Sequence, residues 1–264
     1  MIGQVLKDFW AARNLIYNLA QNDFKTRYAG SYFGMFWAFV NPVITILVFW
    51  FVFQVGFRSS SVQGVPFILW LSCGLIPWFF FSDAWANVTG SFIDYSYLIR
   101  KVFFRVSALP LIKIIAALFV HGVFLGILLI MFVYYGYTPT WYWVQIPYYL
   151  LCTLVLLLGT GYITASIAPF FRDTQQIVGI GLQFGMWITP IMWPVHMLPQ
   201  DIQWILLLNP MAYIVEGYRQ VFIQGKWFWE QAASMAMFWG LTIFLLFIGG
   251  YIFHKMRAHF ADVL

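Results

Sequence analysis

Residues 114–171 read IIAALFVHGVFLGILLIMFVYYGYTPTWYWVQIPYYLLCTLVLLLGTGYITASIAPFF, 58 residues without one Asp, Glu, Lys or Arg. A helix that crosses a bilayer needs about 20 largely apolar residues. The block is therefore long enough for two crossings, and Gly136, Pro139 and Pro147 mark the turn between them. The apolar runs are continuous and lack the two-residue alternation of a transmembrane barrel. Lipid offers the backbone no hydrogen-bond partner, so the crossings are helical.

The rest of the chain repeats the pattern. Residues 28–57, 59–82, 174–200 and 231–254 also carry no Asp, Glu, Lys or Arg. Six spans are predicted, at 33–55, 67–88, 109–134, 147–168, 175–193 and 232–253. Composition agrees: of 264 residues 62% are hydrophobic, 22% aromatic and 9% charged. A soluble domain is about 25% charged and has too little core to hide so much apolar surface. Disorder is excluded by the same numbers. Cys73 and Cys152 lie in apolar stretches and read as small hydrophobes, not as a disulfide or metal framework.

Basic residues orient the spans. With six crossings, both termini and the loops 89–108 and 169–174 share one side, with Lys7, Arg13, Lys25, Arg27, Arg100, Lys101, Arg105, Arg172, Lys255 and Arg257, and Lys113 at its edge. Arg58, Arg219 and Lys226 fall on the other. This bias predicts cytoplasmic termini. No signal peptide is evident, since a charged lead precedes the first apolar run.

At about 100° per residue, Ile2, Val5, Leu6, Phe9, Trp10, Ala12, Ile16, Tyr17 and Ala20 share one face of that lead. Residues 1–30 are predicted to hold an amphipathic helix in the cytoplasmic interface; packing on the protein's own cytoplasmic face is the alternative. Residues 194–225 are broken by Pro194, Pro199 and Pro210 and carry two short apolar pieces. These predict short re-entrant helices before the last span, with a surface-lying hairpin as the alternative. Residues 255–264 form a tail.

Chemistry-bearing motifs are sparse. The Gly225-Lys226 pair is followed by Trp227 and lacks the upstream glycine of a phosphate loop. No HExxH or Gly-x-Ser-x-Gly occurs, and the four histidines have no ligand spacing. No catalytic residue and no metal site is expected. The membrane-embedded polar residues are Asp83, Lys113 and His121. Asp83 is placed to line a cavity, to pair with Lys113, or to hold Asn87 and Trp85; the sequence leaves these open. His121 reads as a packed residue. An ion-coupled transporter would need a richer set of intramembrane carboxylates and usually internal repeats, which are not seen. A membrane-embedded glycosyl or acyl transferase would need convergent acids or histidines at one interface. Most tryptophans fit interfacial belts, and some suit stacking on sugar rings.

Several motifs then add up to a family. Asn22–Ser31 (NDFKTRYAGS) precedes Gly34, Trp37, Asn41 and Pro42; Gly74–Ser82 reads GLIPWFFFS; Leu98–Phe104 reads LIRKVFF before Leu109-Pro110. With Arg172-Asp173, Thr189-Pro190-Ile191, Asn209-Pro210, Arg219 and the terminal FADVL, the chain resembles ABC-2 type permeases that export bacterial polysaccharides, most in look those for wall teichoic acid. Arg105 departs from the pattern, since many members carry proline there.

The resemblance implies an all-α membrane subunit in the plasma membrane. It implies a homodimer with two copies of a separate ATP-binding cassette subunit, which holds ATP and Mg while this chain binds no cofactor. The implied substrate is a polyprenyl-diphosphate-linked polymer of teichoic acid, O-antigen or capsule type, not nucleic acid. Lys25 and Arg27 are expected at the lipid diphosphate, and Arg100, Lys101 and Arg105 in the coupling loop 89–108 at the ATPase. Pro210, Glu216 and Arg219 are expected in an outer gate at 194–225.

Overall fold

The computed structural model describes residues 2–27, 32–56, 61–62, 64–99 and 106–264. The helices are α1 (Ile2–Arg27), α2 (Trp37–Trp50, continued by a π-helical stretch Phe51–Gly56), α3 (Phe67–Asp94), α4 (Ser96–Ile99), α5 (Leu109–Tyr134), α6 (Ile146–Ile167), α7 (Thr174–Ile188), α8 (Pro210–Arg219), α9 (Ala232–Met256) and α10 (Phe260–Val263). A two-residue antiparallel ladder, Ser61–Val62 with Val65–Pro66, is the sheet among these residues.

Among the described residues, five helical stretches are long and apolar enough to cross a membrane: Trp37–Gly56, Phe67–Asp94, Val106–Tyr134, Trp141–Ile167 and Phe228–His259. These match five of the six predicted spans. The predicted span 175–193 differs. α7 has 15 residues, about 22 Å of helix, against a hydrocarbon core of about 30 Å. Pro190 accounts for the early end: it disfavours helical backbone at Thr189, which is extended at ψ 136°.

α3 lies at the centre and packs against α2, α5, α6, α7 and α8. Its length is mostly buried, whereas α2 and α9 leave much of their apolar surface exposed, as lipid-facing helices do. α6 and α9 make the most extensive helix pair. Glycine sets that approach: a Cβ on Gly249 would stand 2.7 Å from the carbonyl oxygen of Gly159. Hydrogen bonds join α3 to α6 through apolar surroundings, with Trp85 Nε1 donating to Thr164 Oγ1 at 3.2 Å and Thr89 Oγ1 2.8 Å from Thr164 Oγ1.

The bundle has two ends. At one, α1 lies against α5, with Tyr17 and Phe24 edge-on to Phe119. Phe260 of α10 is fully buried there, 4.9 Å from Phe92 of α3 between ring centres. The tail is thus packed onto the bundle. Ile16 and Ala20 of α1 are buried against the protein, which fits packing on the protein's own face for this half of the helix. At the other end Phe132 of α5 stacks on Phe222 at 4.9 Å, and Tyr149 of α6 bonds Gln220. The segment 194–225 folds there as the predicted short helices: a 3-10 helix Gln200–Leu208, then α8, continued by a π-helical Gln220–Gln224.

Candidate functional site

The polar groups form three clusters at different levels of the bundle. The first is at the α1 end. Lys113 Nζ is 2.8 Å from Asp23 Oδ1 and 2.9 Å from Asp94 Oδ2. Tyr95 donates its hydroxyl to Asp23 at 2.6 Å, and the Lys113 ammonium sits 4.9 Å from the Tyr95 ring centre. Burial first, then this hydrogen bond to a carboxylate, holds the Tyr95 hydroxyl above the ordinary tyrosine range. The cluster fastens α1 to the C-terminal end of α3 and the N-terminal end of α5. These are the two roots of the loop 89–108. A polar cavity of about 430 Å³, lined in part by Asn22, Thr26, Asn87 and Tyr97, opens beside it.

The sequence admits a pairing of Lys113 with Asp83, and the structure replaces it. Asp83 accepts from Asn87 Nδ2 at 2.9 Å, one helical turn away. Lys113 begins the second turn of α5 and meets Asp94 near the foot of α3, eleven residues beyond Asp83. Asp83 and Asn41 line a smaller cavity of about 170 Å³ with His121. His121 is buried: its Nε2 lies 3.3 Å from the Tyr218 hydroxyl and its ring stacks on Phe80 at 4.5 Å, while Nδ1 has no hydrogen-bond partner among the described residues.

The third cluster is at the far end. Arg219 is fully buried, yet its guanidinium is engaged. Nη1 donates to the Pro190 carbonyl and to Glu216 Oε1, both at 2.6 Å, and Nη2 to the Ile191 carbonyl at 2.7 Å. The charge lies 3.5 Å over the Trp70 ring. A Cβ on Gly74 would be 3.1 Å from Nη2, so the glycine leaves this site its room. Arg219 therefore ties α8 to the turn that follows α7 and to α3. Pro210 starts α8 where its missing N–H is harmless, and Asn209 Oδ1 caps the helix from Met211 N at 3.0 Å. Pro210, Glu216 and Arg219 thus share one element, with Arg219 as its anchor.

Lys25 is exposed on the last turn of α1. The side chain of Arg27, and Arg100, Lys101 and Arg105, lie outside the described residues. Asp23, Asp94 and Tyr95 were not expected as cluster members. A signal existed: Asp23 sits inside the NDFKTR motif, and Asp94 is the one acidic residue between Asp83 and Asp173. Among the described residues no group of three His, Cys, Asp or Glu is placed to hold a metal ion.

Several apolar helices long enough to cross a bilayer, packed around a few paired charges, mark a polytopic helical membrane protein. The chain matches the ABC-2 type transporter family over residues 14–223 and belongs to that family, as a membrane permease. It is 29% identical to the O-antigen export system permease protein RfbA of Klebsiella pneumoniae, over 95% of each chain. The same name in Myxococcus xanthus is 29% identical over 98% of each chain. Polysialic acid transport protein KpsM of Escherichia coli is 25% identical over 86% of this chain and 87% of its own.

Proposed function

We propose that the chain is the membrane subunit of an ATP-driven exporter that moves a lipid-linked polysaccharide from the cytoplasmic to the outer face of the bacterial inner membrane. The observation that carries this reading is the similarity to O-antigen export permeases over nearly the whole of both chains. Polymers of O-antigen, capsule or wall teichoic acid type fall within the class. The chain contains no phosphate loop, so ATP and Mg are held by a separate cassette subunit in two copies, serving a homodimer of this chain.

In this reading α7 and the turn residues after it complete a sixth crossing, and both termini are cytoplasmic. The Lys113 cluster then lies at the cytoplasmic end. Nucleotide-driven movement of the loop 89–108, through Arg100, Lys101 and Arg105, reaches α1 through the ion pairs at both loop roots. A diphosphate carried into a region of falling dielectric is stabilised by cations, and Lys25 and Arg27 stand at the end of α1 for that role. The segment 194–225, held by Arg219, gates the outer end.

The test is affinity purification of the tagged chain from native membranes. A Walker-motif ATPase should co-purify, and ATP hydrolysis should belong to that subunit. Hydrolysis by the purified chain alone would overturn the assignment. In liposomes, Lys25→Gln with Arg27→Gln should leave assembly and basal hydrolysis intact and weaken binding of a polyprenyl-diphosphate substrate. Unchanged affinity would remove both residues from the site.

A further inference from the structure

At the end of the bundle remote from α1, a cavity of about 410 Å³ lies between the Gln200–Leu208 turn, α8 and the start of α9. Its size falls within the range of about 300–1,000 Å³ typical of small-ligand sites. Its lining is amphipathic. Trp204 stands at one side with 57% of its surface exposed, beside Leu206 and Leu207. Gln203, Glu216, Gln231 and Ser234 supply polar groups.

We propose that this cavity is a saccharide subsite, taking an uncharged sugar unit of the exported polymer as it leaves the membrane. The inference rests on the export reading above and adds the place and the chemistry of one contact. A pyranose ring presents an apolar C–H face and a rim of hydroxyls. An indole answers the first without imposing one polar pattern. Amides, a hydroxyl and a carboxylate answer the second, since each hydroxyl both donates and accepts.

Charge selects against the other small amphiphiles of a membrane surface. Among the described residues of the lining, Glu216 is the one ionisable acid or base apart from the Tyr213 phenol. Its Oε1 is held by Arg219, and Arg219 itself is fully buried against the Pro190 and Ile191 carbonyls and Trp70. A phosphate entering here would meet a carboxylate and, among the described residues of the lining, no accessible cation, an arrangement that disfavours it. A neutral, hydroxyl-rich ring meets hydrogen-bonding groups at Gln203, Glu216, Gln231 and Ser234 and apolar surface at Trp204, Leu206 and Leu207.

The site is also pre-arranged. Gln203 Nε2 donates to the Leu198 carbonyl at 2.9 Å, which leaves its amide oxygen as the acceptor on offer. Trp239 Nε1 bonds the Tyr148 hydroxyl at 3.0 Å, and Tyr148 lies 3.0 Å from the Tyr213 hydroxyl, so the Tyr213 wall is held by a chain of bonds. Groups fixed before a ligand arrives lose less freedom on binding it.

The experiment places the photo-crosslinking residue benzoylphenylalanine at Leu207, leaving Trp204 intact, in cells that make and export the native polymer. A control carries it at Ile130, an exposed residue of α5 outside the cavity. Irradiation should give a periodate-stained adduct at Leu207 and none at Ile130. Gln231→Ala in the Leu207 background should lower the yield about fivefold, the effect of one hydrogen bond. Trp204→Ala should abolish the adduct while Trp204→Phe keeps most of it, which separates stacking from a folding defect. A phospholipid adduct at Leu207, or no sugar adduct in cells with normal surface polymer, would overturn the subsite alone. Normal surface polymer in cells lacking the chain would overturn the export reading as well.

Discussion

Replacing Lys113 by Met leaves Asp23 without its ammonium. Two ion pairs are lost, and the structure says they are unequal. The Asp23 and Lys113 side chains are 9% and 8% exposed, whereas Asp94 is 49% exposed. Water screens the Asp94 pair to about 0–1 kcal/mol. Removing one member of a buried pair costs about 3–5 kcal/mol. Tyr95 still donates to Asp23 in the variant, so the low end applies, about 3 kcal/mol. Adding Asp23→Asn removes the carboxylate charge and should recover most of that loss. The assay is a pair of double-mutant cycles on reversible unfolding in mixed micelles, followed by tryptophan fluorescence. The 23–113 coupling should be about 2–3 kcal/mol and the 94–113 coupling below about 1. Equal couplings, or a loss under about 1 kcal/mol for Lys113→Met, would refute the weighting by burial.

Gly249→Ala should destabilise by about 1–3 kcal/mol, because its Cβ meets the Gly159 carbonyl, while Gly250→Ala, with open space around it, should not; thermal denaturation in detergent separates them. Gly217→Ala drives a methyl into the Tyr149 ring and should loosen α8 from α6, read as faster proteolysis of the 194–225 segment. Arg219→Gln strips two buried carbonyls of a cationic donor and should cost about 3 kcal/mol, with Arg219→Lys recovering only part because an ammonium cannot fork to both. A cysteine at Thr140 should react with an impermeant thiol reagent in intact cells and one at Ser96 only after permeabilisation; reversed labelling would invert the orientation.

The spans were legible because charge-free runs of 20 or more residues have one inexpensive fate in lipid. Span length near prolines was not. Apolar residues run on through Thr189-Pro190-Ile191, and hydropathy does not register that Thr189 turns extended there. The short helices of 194–225 were readable from their apolar spacing and from the breaks at Pro194, Pro199 and Pro210. Side-chain partners across the bundle were not. Asp23 and Lys113 are 90 residues apart, and their meeting depends on which face α1 turns toward α5. Glu216 and Arg219 were readable as neighbours at three-residue spacing, but Trp70 and the Pro190 carbonyl, which define what Arg219 does, come from elements that only the packed fold brings together.

The central claim, polysaccharide export through this chain, is tested most directly by depleting it in its native cell and measuring polymer on the cell surface. The account predicts that surface polymer falls while lipid-linked polymer accumulates inside, with recovery when the chain is restored. Surface polymer that stays at its normal level without the chain would contradict it.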